Sequence, residues 1–419
     1  MFQPEWEAMP RDQLKNVQET RLVALWDRLS SSPFYRDRLA LSAQARRYPL
    51  EALSDLPFTV KADLRDHYPW GFVRVPLERL SRIHASSGTK GKPTVVAYTA
   101  HDVKIWSEVC ARSLDAAGAK PGHRIHNAYG YGLFTGGLGL HQGIELLGAT
   151  VIPASGGGTR RQVMLMRDLK PEGLCCTPSF ALALAEMMDT MEVDRQTLSL
   201  NYGIFGAEPW TDAMRVRIEQ ALHLSAIDIY GLSEITGPGV AVECREAKQG
   251  LHIFEDHFYP EVIDPQTGAV LPPGERGELV LTTLTKEAMP LIRYRTGDLV
   301  WLDDSPCACG RTHRRMSRVL GRVDDMLIVR GVNVFPSEVE RILLSFGELT
   351  PQYQLAWEDG AMDRLRVEVE ALSGSPSGLA DQVRARLKAE LGVTLEVSIL
   401  PPQSLPRPEG KAVRVLDRR

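Results

Sequence analysis

Eight residues, Ser86-Ser87-Gly88-Thr89-Lys90-Gly91-Lys92-Pro93, hold three hydroxyls, two glycines and two lysines. Glycine lets successive N–H groups converge on one point, and such a nest takes anions. Hydroxyls add donors and lysines add charge, so phosphate is the ligand these residue types suit. The spacing is not that of a Walker A loop. Thr94-Val95-Val96-Ala97-Tyr98-Thr99 after it reads as strand, not helix. The stretch is therefore a candidate phosphate flap between two strands, with a flexible, basic-tipped hairpin as the plain alternative.

Other stretches carry chemistry of their own. Tyr230-Gly231-Leu232-Ser233-Glu234 sets an aromatic ring, a hydroxyl and a carboxylate together; the ring can stack on a base and the carboxylate can hold Mg²⁺ beside phosphates. In Tyr294-Arg295-Thr296-Gly297-Asp298-Leu299 the aspartate can accept two hydrogen bonds from a ribose, or cap a turn. Gly321-Arg322-Val323-Asp324-Asp325 lies where the composition shifts. Pro406-Arg407-Pro408-Glu409-Gly410-Lys411 puts a lysine in a segment too irregular for core. Cys307-Ala308-Cys309 is a close thiol pair, and with Cys244 and His252 it makes a Cys₃His set of the kind that holds structural zinc; free thiols are the alternative. Cys110, Cys175 and Cys176 read as core.

The elements that must position these groups follow a rhythm. A helix is expected over residues 12–30, with Leu14, Val17, Leu22, Leu25 and Leu29 on one side. Residues 31–80 are irregular and proline-rich. From Asp102 helices alternate with short strands: helix to Ala117, strand Arg124–Asn127, the loop Tyr129–Gly137, helix Leu138–Leu147, strand Thr150–Pro153, and so on to a strand at Ala226–Tyr230. This alternation means a parallel sheet covered on both faces, and ligands in such sheets sit at the carboxyl ends of strands. Those ends carry Tyr129–Gly137, Gly156–Gly158, Gly206–Pro209 and Tyr230–Glu234. After Gly239 the pattern turns to shorter strands with turns, a β subdomain, and from about Val323 to a smaller α+β unit. The 419 residues exceed one ordinary core, and a net charge of -4 gives no general drive toward nucleic acid or anionic membrane. No apolar run is long enough to span a bilayer, no secretory signal opens the chain, and six cysteines are too few for a disulfide scaffold, so a cytoplasmic setting is expected.

In their order, these stretches resemble the adenylate-forming enzymes, and within them the phenylacetate–coenzyme A ligase family, from about Glu5 to Arg414. The resemblance rests on His84–Pro93, Tyr129–Gly137, Gly206–Trp210, Asp228–Gly239, Gly250–Glu261, Thr282–Leu299, Cys307–Arg315, Gly321–Glu340 and Leu405–Arg414. It implies an α/β fold with a large N-terminal adenylation domain, residues 1–322, of parallel sheets flanked by helices plus a β subdomain. A small mobile α+β domain, residues 323–419, would carry the catalytic lysine. It implies ATP-dependent activation of an aromatic acid to an acyl-adenylate, then transfer to coenzyme A. The same first step followed by transfer to a carrier-protein thiol is one alternative, and a retired nucleotide-binding scaffold is another.

By this resemblance Ser86 to Lys92 hold the triphosphate, and Ala207, Glu208, Pro209, Asp228, Tyr230 and Gly231 serve the nucleotide, with Tyr230 stacked on adenine. Ser233 sits beside the α-phosphate, Glu234 holds Mg²⁺, and Asp298 and Arg322 take the ribose. Lys411 bridges the attacking carboxylate and the α-phosphate, Asp324 is the hinge, and rotation there presents Arg330-Gly331-Val332 for thioester formation. Tyr129, Phe134, Gly206, Ala207 and Pro238 would form the acid pocket. Cysteines similar to Cys244, Cys307 and Cys309, with His252, occur in the family, so structural zinc is expected. Members are often dimers, and a homodimer is the matching expectation. Two departures stand out: Lys90 replaces a threonine of the family's loop, and His141-Gln142 stands where His-Tyr is usual.

Overall fold

A computed structural model describes all residues except 31, 40–47, 87–92, 331, 359–363, 375–376, 409–410 and 419. Its centre is a nine-stranded sheet. Thr150–Ile152, Arg124–Asn127, Gly173–Cys176, Tyr202–Gly206 and Ser225–Leu232 lie side by side and parallel. Helices Ala100–Ala116, Thr135–Leu146, Thr159–Leu169, Pro178–Thr190 and Asp212–Leu222 cover it, as the alternation requires.

The sheet does not stop at Gly239. Gly237–Glu243 and Leu251–Ile253 extend it antiparallel, followed by Arg315–Met316 and Leu302–Asp303. The change of pattern after Gly239 therefore marks a change of strand direction within one sheet first. The β subdomain proper is a four-stranded antiparallel sheet, Phe258–Ile263, Gly277–Thr283, Tyr294–Val300 and Gly321–Arg322.

Two local readings are adjusted. The helix expected from Leu138 begins at Thr135, so Gly136 and Gly137 join Gly139 and Gly143 in it. Their bareness serves packing: a Cβ on Gly139 would stand 2.4 Å from the Trp106 ring, and one on Gly143 2.4 Å from Cys110 Cβ. The partner helix Ala100–Ala116 starts in a capping box, with Thr99 Oγ1 accepting from Asp102 N at 3.1 Å and Asp102 Oδ2 from Thr99 N at 2.9 Å.

The first helix, Arg11–Leu29, buries Leu14, Leu22, Leu25 and Leu29 but also Gln18 and Trp26, while Val17 stays partly exposed. The residues before it tie into the far end of the chain. Arg311 Nε donates to Glu7 Oε2 at 2.6 Å, Thr312 N to Glu7 O at 3.1 Å, and His313 Nε2 lies 3.0 Å from Trp6 O. Arg11 forks onto the buried carboxylate of Glu255.

The C-terminal residues have their own core, from Val329 and Val334 through Ile342, Leu355 and Val367 to Leu387 and Val397. Its sheet runs Glu396–Leu400, Arg364–Ala371, Leu349–Glu358, Val415–Asp417, with helices Pro336–Leu343 and Leu379–Leu391. Among the described residues no helix is long and apolar enough to cross a membrane.

Candidate active site

Three of the four strand ends named above converge on one pocket; Gly156–Gly158 does not line it. It is lined by Tyr129, Phe134, Ala207, Glu208, Pro209, Asp228, Tyr230, Gly231, Ser233, Pro238, Asp298, Arg322 and, from the C-terminal segment, Lys411. Gly206 ends its strand one residue behind the wall. Thr135, Gly136, Trp210 and Arg318 join the lining and were not read from the sequence. Trp210 sits inside the Gly206–Trp210 motif, so an aromatic at a strand end was the available signal; Arg318 had none.

The turn after Ser225–Leu232 is built by close backbone approach. The ladder is irregular between Tyr230 and Gly231, and a Cβ on Gly231 would meet Gly237 O at 1.8 Å. Buried Tyr98 donates its hydroxyl to Ser233 O at 3.3 Å and Thr236 O at 3.1 Å. The Lys286 ammonium donates to Glu234 O at 3.1 Å and Ile235 O at 2.7 Å; burial brings Lys286 down to about 8. The turn is thus rigid, and it aims Ser233 Oγ at Thr135 Oγ1, 3.1 Å away.

Glu234 is buried, and its Oε1 makes no hydrogen bond among the described residues. Lys61 Nζ stands 3.2 Å from that oxygen. Lys61 lies in the proline-rich stretch that offers no periodicity, which is why sequence reasoning passed over it. A buried carboxylate oxygen with no hydrogen-bond donor fixed on it can ligate a divalent ion, which would compete there with the Lys61 ammonium.

Asp298 is gripped from both sides. Tyr230 Oη donates to Oδ2 at 2.6 Å and Arg322 Nη1 to Oδ1 at 2.6 Å. Burial raises the carboxyl while Arg322 and, more weakly, Lys411 pull it down. The same guanidinium holds Asp324, Nε to Oδ1 at 2.9 Å and Nη2 to Oδ2 at 3.2 Å. Arg322 therefore joins the pocket to the expected hinge. Asp228, deeper in the wall, is pushed above the usual carboxylate range by burial and by Glu243, which Arg215 holds at 2.6 Å.

Ser86 Oγ and the paired Thr94 Oγ1 are buried without a hydrogen-bond partner among the described residues. They stand at the root of the hairpin whose tip, Ser87, Gly88, Thr89, Lys90, Gly91 and Lys92, lies outside the described residues, as does Gly331. Arg330 lies at φ 51° between the strands Leu327–Val329 and Val332–Val334. His141 does not line the pocket; its Nδ1 meets Tyr131 Oη at 3.1 Å.

Away from the pocket, Cys244 Sγ, His252 Nε2, Cys307 Sγ and Cys309 Sγ come within 4.8 Å of one another. Cys244 and Cys307 sulfurs are 3.6 Å apart, and Cys309 Sγ is 3.4 Å from His252 Nε2. Ligands around one tetrahedral zinc would stand ~3.8 Å apart for S–S and ~3.5 Å for S–N. The donor set fits zinc, and the other His252 nitrogen is oriented by His313 O at 3.3 Å.

Two family models match the chain, the AMP-binding enzyme over residues 54–284 and the AMP-binding enzyme C-terminal domain over residues 331–419. A phenylacetate-coenzyme A ligase of Thermus thermophilus is 53% identical over 100% of both chains. One of Escherichia coli K12 is 50% identical over 97% of this chain and 95% of its own. Among solved structures, 2-hydroxyisobutyryl-CoA ligase in the postadenylation state, 28% identical, covers 99% of this chain and 92% of its own with a TM-score of 0.92. The same enzyme with CoA in the thioesterification state gives 0.74, covering 99% of this chain and 91% of its own. The arrangement of this chain thus matches the postadenylation structure more closely than the thioesterification one.

Proposed function

The chain belongs to the phenylacetate-coenzyme A ligases among the AMP-binding enzymes, and we propose that its substrate is an aromatic acid of phenylacetate type and its acceptor free coenzyme A. The enzyme activates the acid with ATP to an acyl-adenylate and joins it to the thiol, releasing AMP and pyrophosphate. One observation carries the assignment of roles: Lys411, from the C-terminal part, lines the same pocket as Tyr230, Ser233 and Asp298 of the N-terminal part.

The chemistry brings a carboxylate against a phosphate, so catalysis is positioning and charge neutralisation. Tyr129, Phe134 and Pro238 offer apolar walls for a ring. Tyr230 faces the base, and Asp298, held by Tyr230 and Arg322, keeps oxygen lone pairs for ribose hydroxyls. Ser233 and the Ser86 hairpin face the phosphates. Lys411 brings positive charge to the carboxylate and the α-phosphate as they bond. Mg²⁺, arriving with ATP, is neutralising charge that Glu234 would hold beside Lys61. The domain boundary falls at Arg322/Val323, with Asp324 as the hinge, so that one pocket serves two half-reactions in turn. Cys244, His252, Cys307 and Cys309 would hold a structural zinc that fastens the strand Leu251–Ile253 to the loop before Arg315. Six unbridged cysteines suit a reducing cytoplasm.

An acid panel read first by pyrophosphate release and then by thioester tests the reading. Phenylacetate is expected to drive both. Rapid acyl-adenylate without acyl-CoA would exclude coenzyme A as the acceptor. Glu234→Gln is expected to slow pyrophosphate release about 10- to 100-fold and to raise the Mg²⁺ needed for half-maximal rate. An unaltered Mg²⁺ dependence would remove Glu234 as the metal's ligand.

A further inference from the structure

Glu208 lies in the stretch assigned to the nucleotide, yet both of its carboxylate oxygens are committed to backbone amides. Oε1 accepts from Ser179 N at 2.7 Å, in the first turn of the helix Pro178–Thr190. Oε2 accepts from Ala412 N at 2.8 Å, next to Lys411. One side chain therefore spans the N-terminal part and the loop of the catalytic lysine. It is presented by a turn in which Ala207 adopts φ 70°, a left-handed conformation that fixes the chain's exit from the strand.

The loop is held on both sides of this contact. Before Lys411, Arg407 forks onto buried Glu370 at 2.9 Å and 2.9 Å and reaches across to Glu186 at 2.6 Å. After it, Arg414 stands 3.6 Å from buried Glu340, whose Oε1 accepts from Thr211 Oγ1 at 3.4 Å. The Glu370 contacts lie within the C-terminal part; those of Glu208, Glu186 and Thr211 cross between the parts.

We propose that Glu208 is a positioning residue for Lys411: its carboxylate is the receptor that seats the lysine's loop for adenylation and must release it before thioester formation. This rests on the role given to Lys411 above. An N–H bond to a carboxylate is charge-assisted, stronger than one between neutral groups. The turn that offers the carboxylate also lines the pocket.

The test compares the full-length enzyme with Glu208→Ala, Glu208→Gln and Glu186→Ala. Three readouts are taken: pyrophosphate release against ATP concentration, transfer from supplied acyl-adenylate to CoA, and hydrogen exchange of the peptide containing Ala412. For Glu208→Ala, kcat of adenylation is expected to fall at least about tenfold with KM for ATP nearly unchanged. Transfer stays at the parent's rate, and exchange around Ala412 speeds up. Glu208→Gln keeps one acceptor oxygen and falls between. Glu186→Ala, a change at a half-buried pair outside the hydrophobic cores, gives the same signs with a smaller shift. A raised KM at unchanged kcat, or exchange at the parent's rate, would overturn the proposal. A parent that releases no pyrophosphate with any acid would sink the functional reading instead, and the exchange data would then decide alone.

Discussion

Replacing Lys411 with alanine is expected to cut acyl-adenylate formation by roughly 100- to 1000-fold, the size seen when one preorganised charge is removed from a developing anion. Transfer of supplied acyl-adenylate to CoA is expected to stay close to the parent's rate. The asymmetry follows from where the residue sits. Among the described residues, Lys411 belongs to a loop held against the N-terminal part by contacts through Glu208, Glu186, the Arg414–Glu340–Thr211 group and Arg414 with Ser179. The rotation proposed above for the thioester step would take the lysine away. Its charge then stabilises only the first transition state. Single-turnover measurement of each half-reaction decides the matter: equal losses in both would mean that Lys411 stays in the pocket throughout.

Stripping the Cys₃His cluster is the second large effect. Cys307→Ser is expected to abolish binding of about one zinc per chain and to lower stability on the order of 4 kcal/mol, the scale of losing a structural metal. Melting would fall by about 10 °C. The loss comes from three thiolates and an imidazole, drawn from two separate stretches and packed within 4.8 Å. Without an ion, close-set thiolates repel and the strand Leu251–Ile253 loses its fastening to the loop Cys307–Arg315. Metal analysis of the purified enzyme, followed by calorimetry of parent and variant, measures both quantities. A metal-free parent with the same melting point would leave these residues as plain thiols.

Much of the fold could be read in advance because its signals are local. Helix and strand alternate at regular lengths from Asp102 to Tyr230, and chemistry-bearing residues cluster where strands end. What escaped depends on partners far off in the chain. Gly136 and Gly137 look like loop until the folded chain starts the helix at Thr135 and lays Gly137 against Gly130 O. Lys61 has no motif; only the folded chain brings it to Glu234. The strands Gly237–Glu243 and Leu251–Ile253 carry the same alternation whether they extend the old sheet or begin a new one. The carboxylate of Glu208 was assigned with its neighbours to the nucleotide, because spacing cannot show that an amide two hundred residues later would claim it.

The ties between Trp6, Glu7 and Arg11 and the region of Glu255 to His313 also order events during synthesis. Glu7 and Arg311 lie 304 residues apart in sequence. A ribosome adding ~5–20 residues per second needs roughly 15–60 s to cover that interval. Over that interval Glu7 Oε2 and the carbonyls of Trp6 and Glu7 wait for their partners at Arg311, His313 and Thr312, and the cysteines that would bind zinc do not yet exist together. The N-terminal helix can pack its leucines early, but its leading residues close the domain last, after the Cys307–Arg315 loop has emerged. The ties to Arg311, Thr312 and His313 are thus among the last that the opening residues can make.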